Sequence, residues 1–430
     1  MRIGIPRQSQ SRERRVALTP AGVTKLVGDG HDVFVEVGAG LRAGIDDADY
    51  RDAGATVDQR VAVIGSGGVI VQTVGPAIDE LNQPDWSRLG PDHTLIAVHD
   101  PLWDPGRAEA LAGTGATIVS LDLIPRITRA QSMDVLSSMA TVAGYQAVLM
   151  AAMRSPRMFP MMMTAGGTVP PARAVVLGAG VAGLQAIATA RRLGAVVEAY
   201  DIRPAAMEQI ASVGARPIEL DLGSDDAEDS GGYAKVQSDD MKRRQNQALL
   251  PYVADADVVI STAAIPGVAS PELITTDMVE AMRPSSVIID LAAERGGNCR
   301  LTDADGEVNH RGVLILGPTD LPSRAAATSS LLFSNNVVTF IRHLVATGGD
   351  GDGGSPELVW DFDDEITADT VVGRDGEVVH AGVRAKLGLG PVAAERPSSS
   401  TGEAETDDDA DSEPDTDAEI DDDTEGDEEE

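Results

Sequence analysis

Short apolar runs separated by polar or amphipathic stretches of helical length set the rhythm of this chain. Residues 2–5, 32–37, 69–71, 95–98 and 117–121 read as strands, and Thr19-Pro20 ahead of AGVTKLV reads as an N-cap and N1 proline opening a helix. A second series follows at 174–177, 196–200, 217–220, 258–261, 287–290 and 313–316. Strands alternating with helices imply parallel, doubly wound sheets, so the fold class is α/β with two Rossmann-like domains. Between the two series, Val135, Leu136, Met139, Val142, Ala143 and Val148 recur at helical spacing, and Leu331, Leu332, Val337, Val338, Ile341 and Leu344 do so after the second series. These predict long helices crossing between the domains. The expected division is 1–130 plus 325–385 for a discontinuous first domain and 131–324 for a second, with 358–362 and 377–379 as strands of an arm or an added edge.

One stretch breaks the pattern in an informative way. Residues 174–201, AVVLGAGVAGLQAIATARRLGAVVEAYD, read strand, G-x-G-x-x-G turn, helix, strand, acid. Gly178 permits the tight turn, Gly180 lets backbone approach a pyrophosphate, and Gly183 lets helix and strand pack closely. Ala179 and Val181 lie in the same turn, where the helix N-terminus offers unpaired N–H groups to phosphate. Asp201 stands at about the 20-residue spacing expected of an acid that binds the adenosine ribose, which favours NAD(H) over NADP(H). Alone, such a motif can be merely a flexible glycine loop, but here strand, helix and acid are all in place. Arg203 argues the other way, since a nearby arginine can accommodate a 2′-phosphate. The first domain has no such motif.

Reaction chemistry must come from elsewhere. PRITRAQSMDVLSS, 125–138, carries two arginines into the start of the first crossing helix, with Gln131, Asp134 and Ser137 three apart and expected on one side of its first turns. Beside a nicotinamide, Asp134 and Ser137 would bond the carboxamide and ribose and Arg126 would orient the ring; the bland alternative is a capped helix start with a local ion pair. The polar segment 221–244, with Gly231-Gly232-Tyr233 near its centre, is either a lid over bound cofactor or plain disorder. Met161, Met162 and Met163 read as packing residues.

Composition narrows the partners. The chain has 430 residues and a net charge of −35; 18 of its 69 acidic residues fall in 403–430, and the rest still outnumber 34 basic ones. Only Lys25, Lys235, Lys242 and Lys386 are lysines. Acid surplus with scarce lysine resembles a salt-adapted, halophilic protein, the alternative being an ordinary acidic cytosolic one. Direct nucleic-acid binding needs a basic face and is not expected. The tail, 391–430, should be disordered, and 348–354, GGDGDGG, flexible. Cys299 is the sole cysteine, which fits a reducing cytoplasm. No signal peptide and no uninterrupted apolar run of bilayer length is found.

The motifs together resemble a known family. PRITRAQSMDVLSSM, PMMMTAGGTVPPARAVVLGAGVAGLQAIATARRLGA, GGYAK, STAAIPG, IIDLAAERGGNC and TDLPSR, with MRIGIPR and RRVALTP near the N-terminus, are similar to the NAD(H)-binding alpha component, domain I, of proton-translocating NAD(P)+ transhydrogenase, within the alanine dehydrogenase/transhydrogenase family. The resemblance runs from residue 1 to about 380. It implies that Arg126, Gln131, Asp134 and Ser137 belong to the loop meeting the partner's nicotinamide, that Gly232 and Tyr233 lie in the family's mobile loop, and that Ala263 of STAAIPG helps bind cofactor. It further implies a homodimer passing hydride directly to NADP(H) on a beta subunit, with proton movement through a separate membrane-spanning subunit, so that this chain lies peripherally on the inner face of the cell membrane. The alternatives are an alanine dehydrogenase-like oxidoreductase and a non-catalytic NAD(H)-sensing subunit. Alanine dehydrogenases resemble this chain in the N-terminal pattern, Arg15 included, but Val74 stands where their catalytic lysine would be, Asp100 rather than His99 is in register with their histidine, and Glu294 replaces their aspartate.

Overall fold

The computed structural model describes residues 1–65, 67–220, 238–346 and 356–391. Gly232 and Tyr233, the glycine-rich 348–354 and the acidic tail beyond Pro391 lie outside the described residues. In chain order the strands are β1 (Arg2–Ile5), β2 (Asp32–Glu36), β3 (Thr56–Asp58), β4 (Gly68–Val74), β5 (His93–Val98) and β6 (Thr117–Ser120); then β7 (Met162–Thr164) and β8 (Gly167–Val169); then β9 (Arg173–Leu177), β10 (Val196–Tyr200), β11 (Arg216–Pro217), β12 (Val258–Ser261), β13 (Val287–Asp290), β14 (Glu307–His310) and β15 (Val313–Leu316); and finally β16 (Val371–Arg374) and β17 (Glu377–Val378).

They form two large sheets. The first has the order β17-β16-β6-β5-β4-β1-β2-β3 and the second β11-β10-β9-β12-β13-β15-β14. Both are parallel apart from β16 and β17 in the first and β14 in the second. In each, the chain lays strands to one side of the first strand and then to the other. In the second sheet that reversal puts β10 and β12 on opposite flanks of β9, which creates the crevice at the strands' C-terminal ends where α/β folds take ligands.

A crossing helix, Val135–Arg154, links the two lobes, and a return helix, Ala326–Ala346, leads back to the first. Phe333, Val337, Phe340 and Ile341 of the return helix are buried in the first lobe's core. The crossing helix serves both lobes, placing Val135 and Met139 in the first core and Ala147 and Val148 in the second. By length and composition it would pass for a membrane span. It is packed within the protein along one face: a Cβ at Gly144 would overlap the Ala182 carbonyl, so this helix meets the start of the nucleotide helix, Val181–Arg192, backbone to backbone.

Several expectations need correction. Residues 358–362 form no strand; Leu358 and Trp360 pack on the first core, the Val359 amide donates to Leu344 O, and β16 takes the sheet edge beside β6. The strand expected at 217–220 shrinks to β11. Short strands β3 and β14, and the β7–β8 hairpin, lack long apolar runs and escape a periodicity reading. Met161, Met162 and Met163 are not packed inside the chain but exposed at the hairpin, Met163 at 77%.

Candidate functional site

The crevice above β9 and β12 opens into a cleft of about 870 Å³ between the lobes. Its second-lobe wall is the glycine turn. Gly178 has φ +97°, a conformation that glycine alone adopts freely, and a Cβ there would come 2.7 Å from Thr262 Oγ1. Thr262 Oγ1 in turn donates to Gly178 O at 3.0 Å. A Cβ at Gly183 would overlap that same carbonyl, whereas one at Gly180 would meet nothing within 4 Å. Two glycines are thus required by the protein's own packing and the third faces open space at the N-terminus of a 12-residue helix, whose first amides have no intrahelical acceptor. That arrangement fits a pyrophosphate.

The loop after β12 is held just as firmly. Asn298 Nδ2 donates to Ala263 O and Pro271 O, both at 2.8 Å, and Asn298 Oδ1 accepts from Ala263 N at 3.0 Å. Behind it, the wholly buried Asp290 carboxylate accepts from Ser261 Oγ at 3.0 Å, Ala292 N at 3.1 Å, Cys299 N at 2.9 Å and Thr302 Oγ1 at 2.7 Å. Asn298 and Asp290 both lie in IIDLAAERGGNC, yet nothing in residue type or spacing singles them out.

Asp201 ends β10 at the turn as expected, but its carboxylate is already saturated. Oδ1 accepts from the Arg203 backbone N and Nε, and Oδ2 from Ala179 N and Arg203 Nη2, at 2.7 to 2.9 Å. A carboxylate offers about four acceptor positions. Ribose hydroxyls therefore reach Asp201 only by displacing the Arg203 guanidinium.

On the facing wall, Arg126 and Ser137 line the cleft, with Asp100 and Asp122 from the first lobe. Gln131 and Asp134 do not join them in one cluster. The crossing helix starts only at Val135; Gln131 belongs to a preceding 3₁₀ helix, Thr128–Met133, and its side chain is exposed. Asp134 is the N-cap, accepting from Ser137 N at 2.8 Å and Ser137 Oγ at 2.5 Å. The expected one-sided trio is thus a capping pair plus a separate outward glutamine. Arg295 crosses the cleft to pair with Asp100 and lies 4.6 Å from the Trp103 ring, and Lys386 Nζ donates to Gly267 O at 2.8 Å, so the lobes are tied at the rim.

Two of the cleft's acids are partly desolvated. Burial raises the Asp122 carboxyl above its ordinary range, although Ser120 Oγ donates to it at 2.6 Å, and burial raises Glu294 as well. His99 does not line the cleft; burial and the Arg107 guanidinium lower its pKa to about 3, so the ring is neutral. Arg15 is bound to Glu13, with Nε at 2.8 Å and Nη2 at 2.5 Å. Among the described residues no cluster of three or more potential ligands would hold a metal ion.

Comparison with known proteins agrees with this frame. Residues 4–143 match the alanine dehydrogenase/PNT N-terminal domain and residues 147–381 the corresponding C-terminal domain. The chain is 44% identical over 382 residues, 88% of its length and 98% of the relative's, to the first segment of the NAD(P) transhydrogenase alpha subunit of Rhodospirillum rubrum. It is 30% identical over 408 residues, covering 92% of this chain and 99% of the other, to an alanine dehydrogenase of Halomonas elongata. Among solved structures, a transhydrogenase from Sinorhizobium meliloti superposes with a TM-score of 0.75 at 41% identity, covering 89% of this chain and 99% of that one. By sequence and fold alike, the chain belongs to the alanine dehydrogenase/PNT family.

Proposed function

We propose that this chain is the NAD(H)-binding alpha component of a proton-translocating transhydrogenase, passing hydride directly between NADH and NADP+ held by a beta subunit. The observation that carries this reading is a cleft with a pyrophosphate turn on one wall and Arg126 and Ser137 on the other, while the residues in register with a dehydrogenase's lysine, histidine and arginine are not available to a carbonyl substrate. Ring-to-ring hydride transfer needs none: a hydride leaves one nicotinamide and arrives on the other with no proton exchanged at either ring. Reductive amination of a keto acid needs a carboxylate anchor and proton donors. Here Val74 supplies no ammonium, His99 is buried and neutral, and Arg15 is already paired with Glu13.

In this reading the pyrophosphate lies along Gly178, Ala179, Gly180, Val181 and Gly183, with the ribose at Asp201 and Arg203. The nicotinamide lies near Ala263, Arg126, Asp134 and Ser137, and Gln131 faces the partner's dinucleotide. Gly232 and Tyr233 complete the proposed cofactor-binding set. The chain's work is chiefly positioning, because fixing two rings at reacting distance makes a bimolecular step effectively unimolecular. Residues 1–130 with 325–385 act as one domain and 131–324 as the other. A second copy packs on the hairpin, where Met163 and Val169 are exposed, to give a homodimer. A separate membrane-spanning subunit holds the complex peripherally at the inner face of the membrane. The acid surplus and scarce lysine support a halophilic setting.

The test is hydride transfer from NADH to NADP+ at molar salt by the purified chain with its NADP(H)-binding partner, run beside pyruvate plus ammonium without it. Transfer that requires the partner supports the proposal. NADH oxidation by pyruvate and ammonium alone overturns it in favour of an alanine dehydrogenase, and NADH binding with neither activity favours a sensing subunit.

A further inference from the structure

The segment that presents Gln131 is a six-residue 3₁₀ helix, Thr128–Met133. Such helices have poor hydrogen-bond geometry, so their own backbone does little to fix them. Ala130 and Met133 anchor the inner side in the first lobe's core. Two further ties come from distant parts of the chain. Asn336 on the return helix, 7% exposed, donates its Nδ2 to Ser132 O at 2.8 Å. Arg129 pairs with Asp364, and at 3.4 Å with Glu365.

Asp364 is the node of this arrangement. Its side chain is 8% exposed. Besides Arg129 it accepts from His343 Nε2 of the return helix at 2.8 Å, and from Thr367 N and Oγ1 at 3.3 Å, capping the short helix Glu365–Thr370. Burial pushes its pKa up, but the Arg129 and His343 hydrogen bonds prevail and leave it at about 2. The Asp364 carboxylate is thus partnered on every side, while Arg129 stays half exposed, so the geometry of the node rather than the strength of one ion pair holds the segment. The node joins three separate segments: the 3₁₀ helix, the return helix and the lead-in to β16. None of its members lines the cleft.

We infer that Asp364, with Arg129, His343 and Asn336, forms a clamp that holds the Gln131 segment at the position hydride transfer requires. This rests on the transhydrogenase reading. These are positioning residues: they touch neither dinucleotide, and they act by fixing where Gln131 and the capped start of the crossing helix stand. A misplacement of about 1 Å far from the reacting atoms costs on the order of 100-fold in rate, so loosening the clamp reduces transfer without loosening NADH.

The experiment uses the full chain with its NADP(H)-binding partner and four variants, Asp364→Asn, its conservative counterpart Asp364→Glu, Asn336→Ala and Arg129→Gln. The last replaces a side chain that is 49% exposed and keeps the fold testable should a buried variant fail to fold. NADH affinity is read by fluorescence titration, transfer to NADP+ by single-turnover kinetics at saturation, and folding by thermal melting. The expected result is a transfer rate lowered about tenfold or more, with NADH affinity within about twofold of wild type and partial recovery in Asp364→Glu. Unchanged transfer in folded Asn336→Ala and Arg129→Gln overturns the inference, as does a parallel loss of NADH affinity and transfer that tracks the melting temperature. Wild-type chain that transfers no hydride with its partner defeats the functional reading instead, and is seen before any variant is compared.

Discussion

Replacing Gly180 by alanine separates what the glycine turn does for the protein from what it does for a ligand. Gly180 has φ −73° and ψ −168°, which any L-residue adopts, and a Cβ there meets no protein atom within 4 Å. The substitution should leave the apo fold intact and even stabilise it by about 0.4–1 kcal/mol through the unfolded chain's lost freedom. The methyl group would nonetheless stand where a pyrophosphate must approach the first amides of the nucleotide helix. Losing one charge-assisted hydrogen bond there costs about 1.5–3 kcal/mol, and each 1.4 kcal/mol is tenfold, so NADH should bind about 10- to 150-fold more weakly. ADP should weaken equally, and adenosine, which lacks a pyrophosphate, should not. Gly183→Ala supplies the contrast: its Cβ overlaps the Gly178 carbonyl, and overpacking of this kind costs about 1–3 kcal/mol of stability before any ligand is added. Titration calorimetry with the three ligands and thermal melts of both variants decide the matter. Gly180→Ala that binds NADH within about twofold of wild type would refute the placement of the pyrophosphate, and so would a Gly180→Ala that melts like Gly183→Ala.

Other consequences follow from groups whose partners are visible. Asp201→Ala releases the Arg203 guanidinium from its carboxylate beside the ribose site, so NADH should weaken while NADPH gains; parallel titrations in which the ratio of the two affinities does not move would reject this role. Burial raises the Cys299 thiol to about 11, and the side chain is wholly buried, so a thiol reagent at about pH 8 should leave native protein unlabelled and label it only after unfolding. His99 stays neutral in the native state to about pH 3, against about 6.5 in an unfolded chain. Below about pH 6.5 the unfolded state binds a proton that the native state refuses, so His99 costs stability progressively between about pH 6.5 and 3 and nothing above. Urea midpoints across that window should fall less steeply for His99→Leu, and equal slopes would disprove the assignment.

The frame was legible because its signals are periodic and local. β10, β12, β13 and β15 each coincide with a short, largely apolar run, as buried parallel strands should. The glycine turn was legible for another reason: Gly178 and Gly183 answer separate steric demands of the fold, Gly180 keeps the helix N-terminus open, and sequence spacing alone carries that information. What could not be read was long-range. Periodicity placed an apolar run at 358–362 but not the choice between sheet edge and helix flank, which β16 settles by occupying the edge. Spacing put Gln131, Asp134 and Ser137 on one helix face, and the N-cap at Asp134 separated them, because a side chain accepting from the Ser137 amide ends the helix at that residue. Asn298 holds Pro271 and Ala263, 27 and 35 residues away, and Asp364, legible locally only as a helix cap, also takes Arg129, 235 residues away; no local pattern announces such long-range ties.

The same frame hosts two chemistries in this family, and the difference lies in which polar groups are left facing the cleft. A keto acid arrives with a carboxylate and a carbonyl that must gain a proton, so its site must expose an unpaired cation and a titrating base. This chain withholds the two groups in register with the dehydrogenase pattern: Arg15 is neutralised by Glu13 at 2.5 Å, and His99 is buried and held neutral to about pH 3. At the cleft wall stand Arg126, Ser137, whose hydroxyl is bound to Asp134, and carboxyls whose ionisation burial opposes, Asp122 and Glu294. In the transhydrogenase reading Arg126 and Ser137 orient a ring, an amide and a sugar, and no step calls on the two carboxyls for a proton. Restoring an amino-acid dehydrogenase would accordingly take more than a lysine at position 74, since the arginine and histidine would also need releasing from their present partners and burial. Val74→Lys alone should yield no oxidation of NADH by pyruvate and ammonium, and measurable turnover from that single change would overturn the claim that Arg15 and His99 are sequestered.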